Sequence, residues 1–130
     1  ERICVSGALG KAAMSLESRA RFLPTPRVEL GLALREKGVR CAMDLSDGLS
    51  MDLARLCAAS NCGAALDDVP VAKGASLRHA LHGGEDYELL FTLPAKAALP
   101  RGCFVIGTIT KSTVLFRGQV LQQEGWDHFR

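Results

Sequence analysis

Two short stretches hold acids where acids need a reason. "MDLSDGL" sets Asp44 at the end of one apolar run and Asp47 at the start of the next, with Ser46 between them. "HGGEDYELLF" places Glu85, Asp86 and Glu88 between two glycines and a run that reads as a buried strand. Charge in such a position is costly unless it is paired, hydrated or bound.

In the first stretch a helix mouth offers unpaired backbone N–H groups and a positive dipole end, which suit a phosphate. Two carboxylates beside it suit Mg2+, which takes one or two carboxylates and keeps water and phosphate oxygens as its other ligands. The Ser46 hydroxyl could donate to a phosphate. The other reading is structural: Asp47 or Ser46 is an N-cap and Asp44 a solvated strand end.

In the second stretch Gly83 and Gly84 permit positive φ angles that reverse the chain. In an extended strand, Glu85 and Tyr87 would point one way and Asp86 and Glu88 the other. A compact cage of three carboxylates is then excluded, and a single carboxylate facing a cationic or hydrogen-bonding ligand is left beside a solvated acidic turn. His79 and His82 sit three apart, as a metal pair or as exposed helix histidines. No G-x-S-x-G, H-E-x-x-H or Walker A pattern occurs.

The elements around these stretches follow from periodicity and punctuation. Residues 2–6 read as a strand, followed by a glycine-punctuated turn and a short helix through Ser18. The G-x-x-G there is a weak phosphate-loop signal. In "LPTPRVELGLALREKG", Thr25 suits an N-cap, Pro26 the first helical position and Gly38 the left-handed stop. Residues 39–45 read as a buried strand leading into an amphipathic helix. Its Leu49, Leu53, Leu56 and Cys57 form one stripe, and Asn61 or Gly63 ends it. "AALDDVPV" reads as a strand running into a turn, and Ser76 caps a short helix. Strands are predicted over residues 87–93, 104–110, 113–116 and 119–122, with one helical turn over 95–98. The last two strands form a hairpin around Arg117 and Gly118. Helices and strands intermix without a strict βαβ repeat, so the predicted fold is α+β: a single domain with a mixed β-sheet and packed helices.

A chain of 130 residues, 48% hydrophobic, is long enough for one real core. With a net charge of +2 and scattered basic residues, it has no electrostatic footprint for nucleic acid or membrane surfaces. No apolar window approaches the ~18 residues of a transmembrane helix, and no signal peptide is visible. The five cysteines (Cys4, Cys41, Cys57, Cys62 and Cys103) include no C-x-x-C pair. They are expected as free buried thiols in a reducing, cytoplasmic setting. The chain starts at Glu1 within a strand, as a piece of a longer protein would.

Four segments in order ("LPTPRVELGLAL", "AMDLSDGLSMDLARLC", "ALHGGEDYELLFTLP" and "GWDHF") resemble the C-terminal half of the thiamine-monophosphate kinase family. "ICVSGALGKAAMSL" is similar to the family segment just before them. The resemblance covers nearly the whole chain. It implies the C-terminal domain fold of the aminoimidazole ribonucleotide synthetase superfamily for residues 1–130. It also implies phosphorylation of thiamine monophosphate by ATP, with Mg2+, to thiamine diphosphate and ADP. By that resemblance Asp44 and Asp47 match Mg2+-binding aspartates and Ser46 a nucleotide-contacting serine. Glu85 matches an acidic substrate contact, and Trp126 an aromatic residue that contacts thiamine. The family's N-terminal domain, with its "GDDAA"-type motif and most of the nucleotide site, is absent here. The segment between Pro70 and Leu81 is shorter than the family's. The 130 residues alone are therefore expected to have little or no kinase activity. The face left by the absent domain could promote self-association, which leaves a homodimer open. The alternatives are a non-catalytic ligand-binding or dimer-stabilising module of the same fold, and another ATP-dependent enzyme of the superfamily.

Overall fold

The computed structural model describes residues 1–125. In chain order the elements are β1 (Arg2–Val5), α1 (Lys11–Glu17), α2 (Val28–Glu36), β2 (Ala42–Asp44), α3 (Leu49–Ala59) and β3 (Gly63–Leu66). They continue with α4 (Leu77–His82), β4 (Leu89–Leu93), β5 (Phe104–Thr110), β6 (Val114–Phe116) and β7 (Gln119–Val120). The strands form one sheet in the order β2-β4-β1-β5-β3-β6-β7. Neighbours are antiparallel except β3 and β6, which are parallel. The expected α+β domain with a mixed sheet is what forms.

Both faces of the central sheet are covered, and the period of two in β1 shows how. Ile3 and Val5 join a core with Leu49, Leu53 and Leu81 from α3 and α4. Cys4, between them, faces Leu34 of α2 together with Phe91, Leu93 and Cys103. Alternate residues of one strand thus supply two cores, as side-chain alternation requires. The stripe expected on α3 is the one it buries: Leu49 and Leu53 are 1% exposed and Cys57 is 3% exposed. All five cysteines are free thiols, three of them buried. Among the described residues no helix is long and apolar enough to cross a membrane.

Local rules hold at several ends. The Ser76 hydroxyl accepts the His79 N–H at 3.1 Å, while His79 Nδ1 accepts the Ser76 N–H at 3.1 Å, a reciprocal cap on α4. Asn61, at φ 52°, ends α3. Arg117 and Gly118, at φ 49° and 80°, make the tight turn of the final hairpin.

Elsewhere tertiary contacts prevail. The α2 helix starts at Val28, past Thr25 and Pro26, and Arg27 takes the capping position. The β2 strand is a short, partly exposed edge strand, not a buried one, because only β4 pairs with it. Residues 95–97 form a turn rather than a helical turn. The β4 strand starts at Leu89, two residues later than expected, because Glu85 and Tyr87 have φ of 66° and 53°. Gly83 is extended at φ −73°. Close approach is what Gly83 and Gly84 provide: a Cβ on Gly83 would lie 2.5 Å from the Ala13 Cβ, and one on Gly84 would lie 2.7 Å from the Ser46 carbonyl oxygen.

Candidate functional site

The two acidic stretches meet edge to edge. The Glu85 N–H donates to the Ser46 carbonyl at 2.8 Å and the Tyr87 N–H to the Leu45 carbonyl at 2.9 Å. The Leu45 N–H donates back to the Glu88 carbonyl at 2.8 Å. This ladder carries the pairing of β2 and β4 onward past the end of both strands.

On the first stretch, the loop that leads into α3 is held by an acid of the helix itself. Asp52, 1% exposed, turns its carboxylate back over the loop. Its Oδ2 accepts the backbone N–H groups of Ser46 (3.0 Å), Asp47 (3.0 Å) and Gly48 (3.2 Å). Of the N–H groups at the helix mouth, Asp52 takes that of the N-cap Gly48; the other two it takes belong to the loop just before the helix. Burial pushes the Asp52 carboxyl above its ordinary value of 3.8, against the opposing pull of the N–H bonds. Its only sequence signal is an acid in the first turn of a helix, at the positive dipole end. Asp47 is nearly buried and forms an ion pair with Arg55, which also lies 3.5 Å from Asp52. The arginine had no sequence signal of its own.

On the second stretch, inside and outside alternate. Asp86 is 7% exposed and reaches the start of α1, accepting the Gly10 N–H at 2.7 Å and the Ala12 N–H at 3.0 Å. Burial raises its pKa, again opposed by those N–H groups. Glu88 accepts two hydrogen bonds from Arg27, at 2.9 and 2.8 Å, and one from the Ser6 hydroxyl. Arg27 is held charged by that pairing. Glu85 and Tyr87 face outward. Left-handed backbone at two residues with side chains costs about 1–3 kcal/mol each, and persists where surrounding contacts over-determine it.

The outward residues line a hollow of about 500 Å³ with Ser46, Asp47 and Gly84, walled on the far side by Ala12, Ala13 and Leu16 of α1. Ser46, Asp47 and Glu85 are therefore brought together. Asp44 is exposed and lines an adjoining hollow of about 430 Å³ with Arg27, Val28 and Leu89. Tyr87 is a wall of both hollows. Trp126 lies outside the described residues. The chain leading to it is fixed: the Ser50 hydroxyl donates to the Glu124 carbonyl at 2.7 Å and is 2.8 Å from His82 Nδ1. A Cβ on Gly125 would collide with the Asp47 carbonyl oxygen. His79 is paired with Glu17 at 2.9 Å, so the two histidines serve different structural partners.

Among the described residues no three His, Cys, Asp or Glu side chains form a ready cation cage. The two aspartates expected to hold Mg2+ stand apart from one another. Asp44 presents an exposed carboxylate, and Asp47 presents one shared with Arg55. The two line adjoining hollows, so each could offer a single ligand to Mg2+, an ion that accepts one or two protein carboxylates and takes the rest from water and phosphate. The cavity lined by Cys41, Cys57 and Cys62, about 250 Å³, lies elsewhere and holds none of these residues.

Residues 14–117 match the family described as AIR synthase related protein, C-terminal domain. Over 97 residues the chain is 48% identical to a thiamine-monophosphate kinase of Salmonella typhimurium, covering 62% of this chain and 30% of that protein. The fold superposes on a thiamine monophosphate kinase from Aquifex aeolicus with a TM-score of 0.80 at 26% identity, over 92% of this chain and 51% of that one. It also matches AaThiL complexed with AMPPCP and TMP, with a TM-score of 0.78 at 28% identity, over 98% of this chain and 51% of that one. The chain spans about half the length, or less, of the proteins it matches.

Proposed function

From the premise that this chain belongs to the AIR synthase related C-terminal domain family, we propose that it is the C-terminal domain of a thiamine-phosphate kinase. In this reading the whole protein transfers the γ-phosphoryl group of ATP to thiamine monophosphate, giving thiamine diphosphate and ADP. A domain N-terminal to residues 1–130 supplies most of the nucleotide site. The observation that carries the reading is the meeting of Ser46, Asp47 and Glu85 in one hollow. A carboxylate there suits the cationic ring of thiamine, and a carboxylate and a hydroxyl suit a phosphate accompanied by a metal.

Phosphoryl transfer asks of a protein mainly positioning and charge neutralisation. Asp44 and Asp47, on adjoining hollows, would each offer one carboxylate to Mg2+, whose chemistry is to neutralise charge building on the transferred group. The Ser46 hydroxyl donates to a phosphate oxygen. Glu85 faces the thiazolium, with Trp126 as its aromatic partner by family resemblance. The Asp52 carboxylate holds the Ser46 loop in shape before substrate arrives.

The test is formation of thiamine diphosphate from thiamine monophosphate, ATP and Mg2+ by the longer protein that carries this chain. Product with thiamine monophosphate, and none with other phosphate acceptors, is the expected result. No product, with the fold intact, would favour a non-catalytic module of the same family. Phosphorylation of a different acceptor would point to another superfamily enzyme. The isolated 130 residues are expected to yield little or no product.

A further inference from the structure

We propose that Tyr87 is a substrate-contacting residue that forms a cation-binding corner with Glu85, and that Asp86 is the residue positioning both. The ligand class is a planar, positively charged ring. This rests on the kinase reading for the identity of the ring.

Four observations support it. Tyr87 is a tyrosine with φ of 53°, a region bulky side chains rarely occupy. Glu85, two residues before it, has the same left-handed backbone at φ 66°. The residue between them is turned the other way and tied to Gly10 and Ala12 by both carboxylate oxygens. Tyr87 remains 39% exposed and walls both the hollow holding Ser46, Asp47 and Glu85 and the hollow holding Asp44.

A tyrosine that served only packing would be buried from a relaxed backbone. Here the backbone is held in a costly shape and the residue stays 39% exposed in the hollow that Glu85 also lines. An aromatic ring and an anion lining one hollow attract one kind of ligand: a cation, and a flat one if it lies on the ring. The inward acids make this arrangement durable. Asp86 is pinned to the start of α1 on one side of Tyr87, and Glu88 is pinned to Arg27 and Ser6 on the other. Releasing Asp86 would let Glu85 and Tyr87 relax toward extended backbone and turn both groups away from the hollow.

The experiment compares Tyr87→Phe, Tyr87→Leu and Asp86→Asn in the longer protein, with KM and kcat measured for each substrate. Tyr87→Leu is expected to raise KM for thiamine monophosphate at least tenfold, with kcat and the KM for ATP within about threefold of wild type. Tyr87→Phe, which keeps the ring, is expected to raise that KM at least threefold less than Tyr87→Leu does. Asp86→Asn should raise the same KM, and the Tyr87→Leu/Asp86→Asn double variant should be no worse than the poorer single variant. An unchanged KM in Tyr87→Leu, or equal losses in Tyr87→Phe and Tyr87→Leu, would overturn the proposal. Additive effects in the double variant would overturn the positioning role. If Asp86→Asn does not fold, Asp86→Glu, which keeps the carboxylate but moves it out by one methylene, is read in its place with the same rise in KM expected; the Tyr87 pair decides the corner in either case. Calorimetric binding of thiamine monophosphate to the same proteins separates this proposal from the kinase reading. Binding without turnover that weakens tenfold in Tyr87→Leu would leave the corner standing while the kinase reading fails. A wild type that neither binds nor turns over would overturn both.

Discussion

The Glu85 backbone N–H donates to the carbonyl oxygen of Ser46 at 2.8 Å, and this bond joins two acidic stretches that are far apart in the chain. The contact needs the glycine beside it, because any side chain on Gly84 would press on that same carbonyl. The hollow is therefore as good as this seam.

Gly84→Ala should open it. The added Cβ would sit 2.7 Å from the Ser46 oxygen, closer than real contacts allow. Forcing such an overlap costs about 1–3 kcal/mol. Urea unfolding should show that loss, and the longer protein should lose activity by more than the stability change explains. A variant as stable and active as wild type would show that the seam yields freely.

Asp52→Ala should be among the most damaging polar substitutions. It strands the N–H groups of Ser46, Asp47 and Gly48 in buried surroundings. Partial rehydration of the loop limits the cost to about 2–4 kcal/mol. Denaturant unfolding measures it directly, and amide exchange at residues 46–48 should accelerate at the same time.

The two buried aspartates predict an acid-side pH dependence. Burial raises the carboxyls of both Asp52 and Asp86 above the ordinary 3.8. Asp47 adds to the upward push on Asp52, and Glu88 to that on Asp86, while backbone N–H groups oppose both. A group whose folded value is raised contributes stability that is full below its unfolded value and is lost as pH rises through the folded one. Stability should therefore decline as pH rises above 3.8 through the raised values, and then level. Asp86→Asn removes one of these groups. Relative to that variant, the wild type should lose stability across this window; a difference that is flat with pH would contradict the assignment.

Much of this was legible in the sequence. The period of the α3 leucines, the Ser76 cap and the turn at Arg117 and Gly118 are local signals, and each formed as expected. That Glu85 and Tyr87 face one way and Asp86 and Glu88 the other was also anticipated, though not which pair is buried, and from a strand geometry that the segment does not adopt. What decides that geometry is the grip of Asp86 on Gly10 and Ala12, a contact across most of the chain that no local pattern encodes. The same holds for Asp52, which locally resembles any acid in a first helical turn. Asp44 and Asp47 look like one pair in sequence, yet they line adjoining hollows with Tyr87 between them.

On the proposed kinase reading, Asp47 serves the reaction as well as the fold. The measurement that tests it most directly is thiamine diphosphate formation by the longer protein, with and without Asp47→Asn, beside the unfolding free energy of each. Loss of a group that neutralises charge in the transition state is expected to lower kcat by ~10²-fold or more. The account predicts that drop in a variant that remains folded. Full activity in folded Asp47→Asn would contradict it and leave Asp47 as no more than the partner of Arg55.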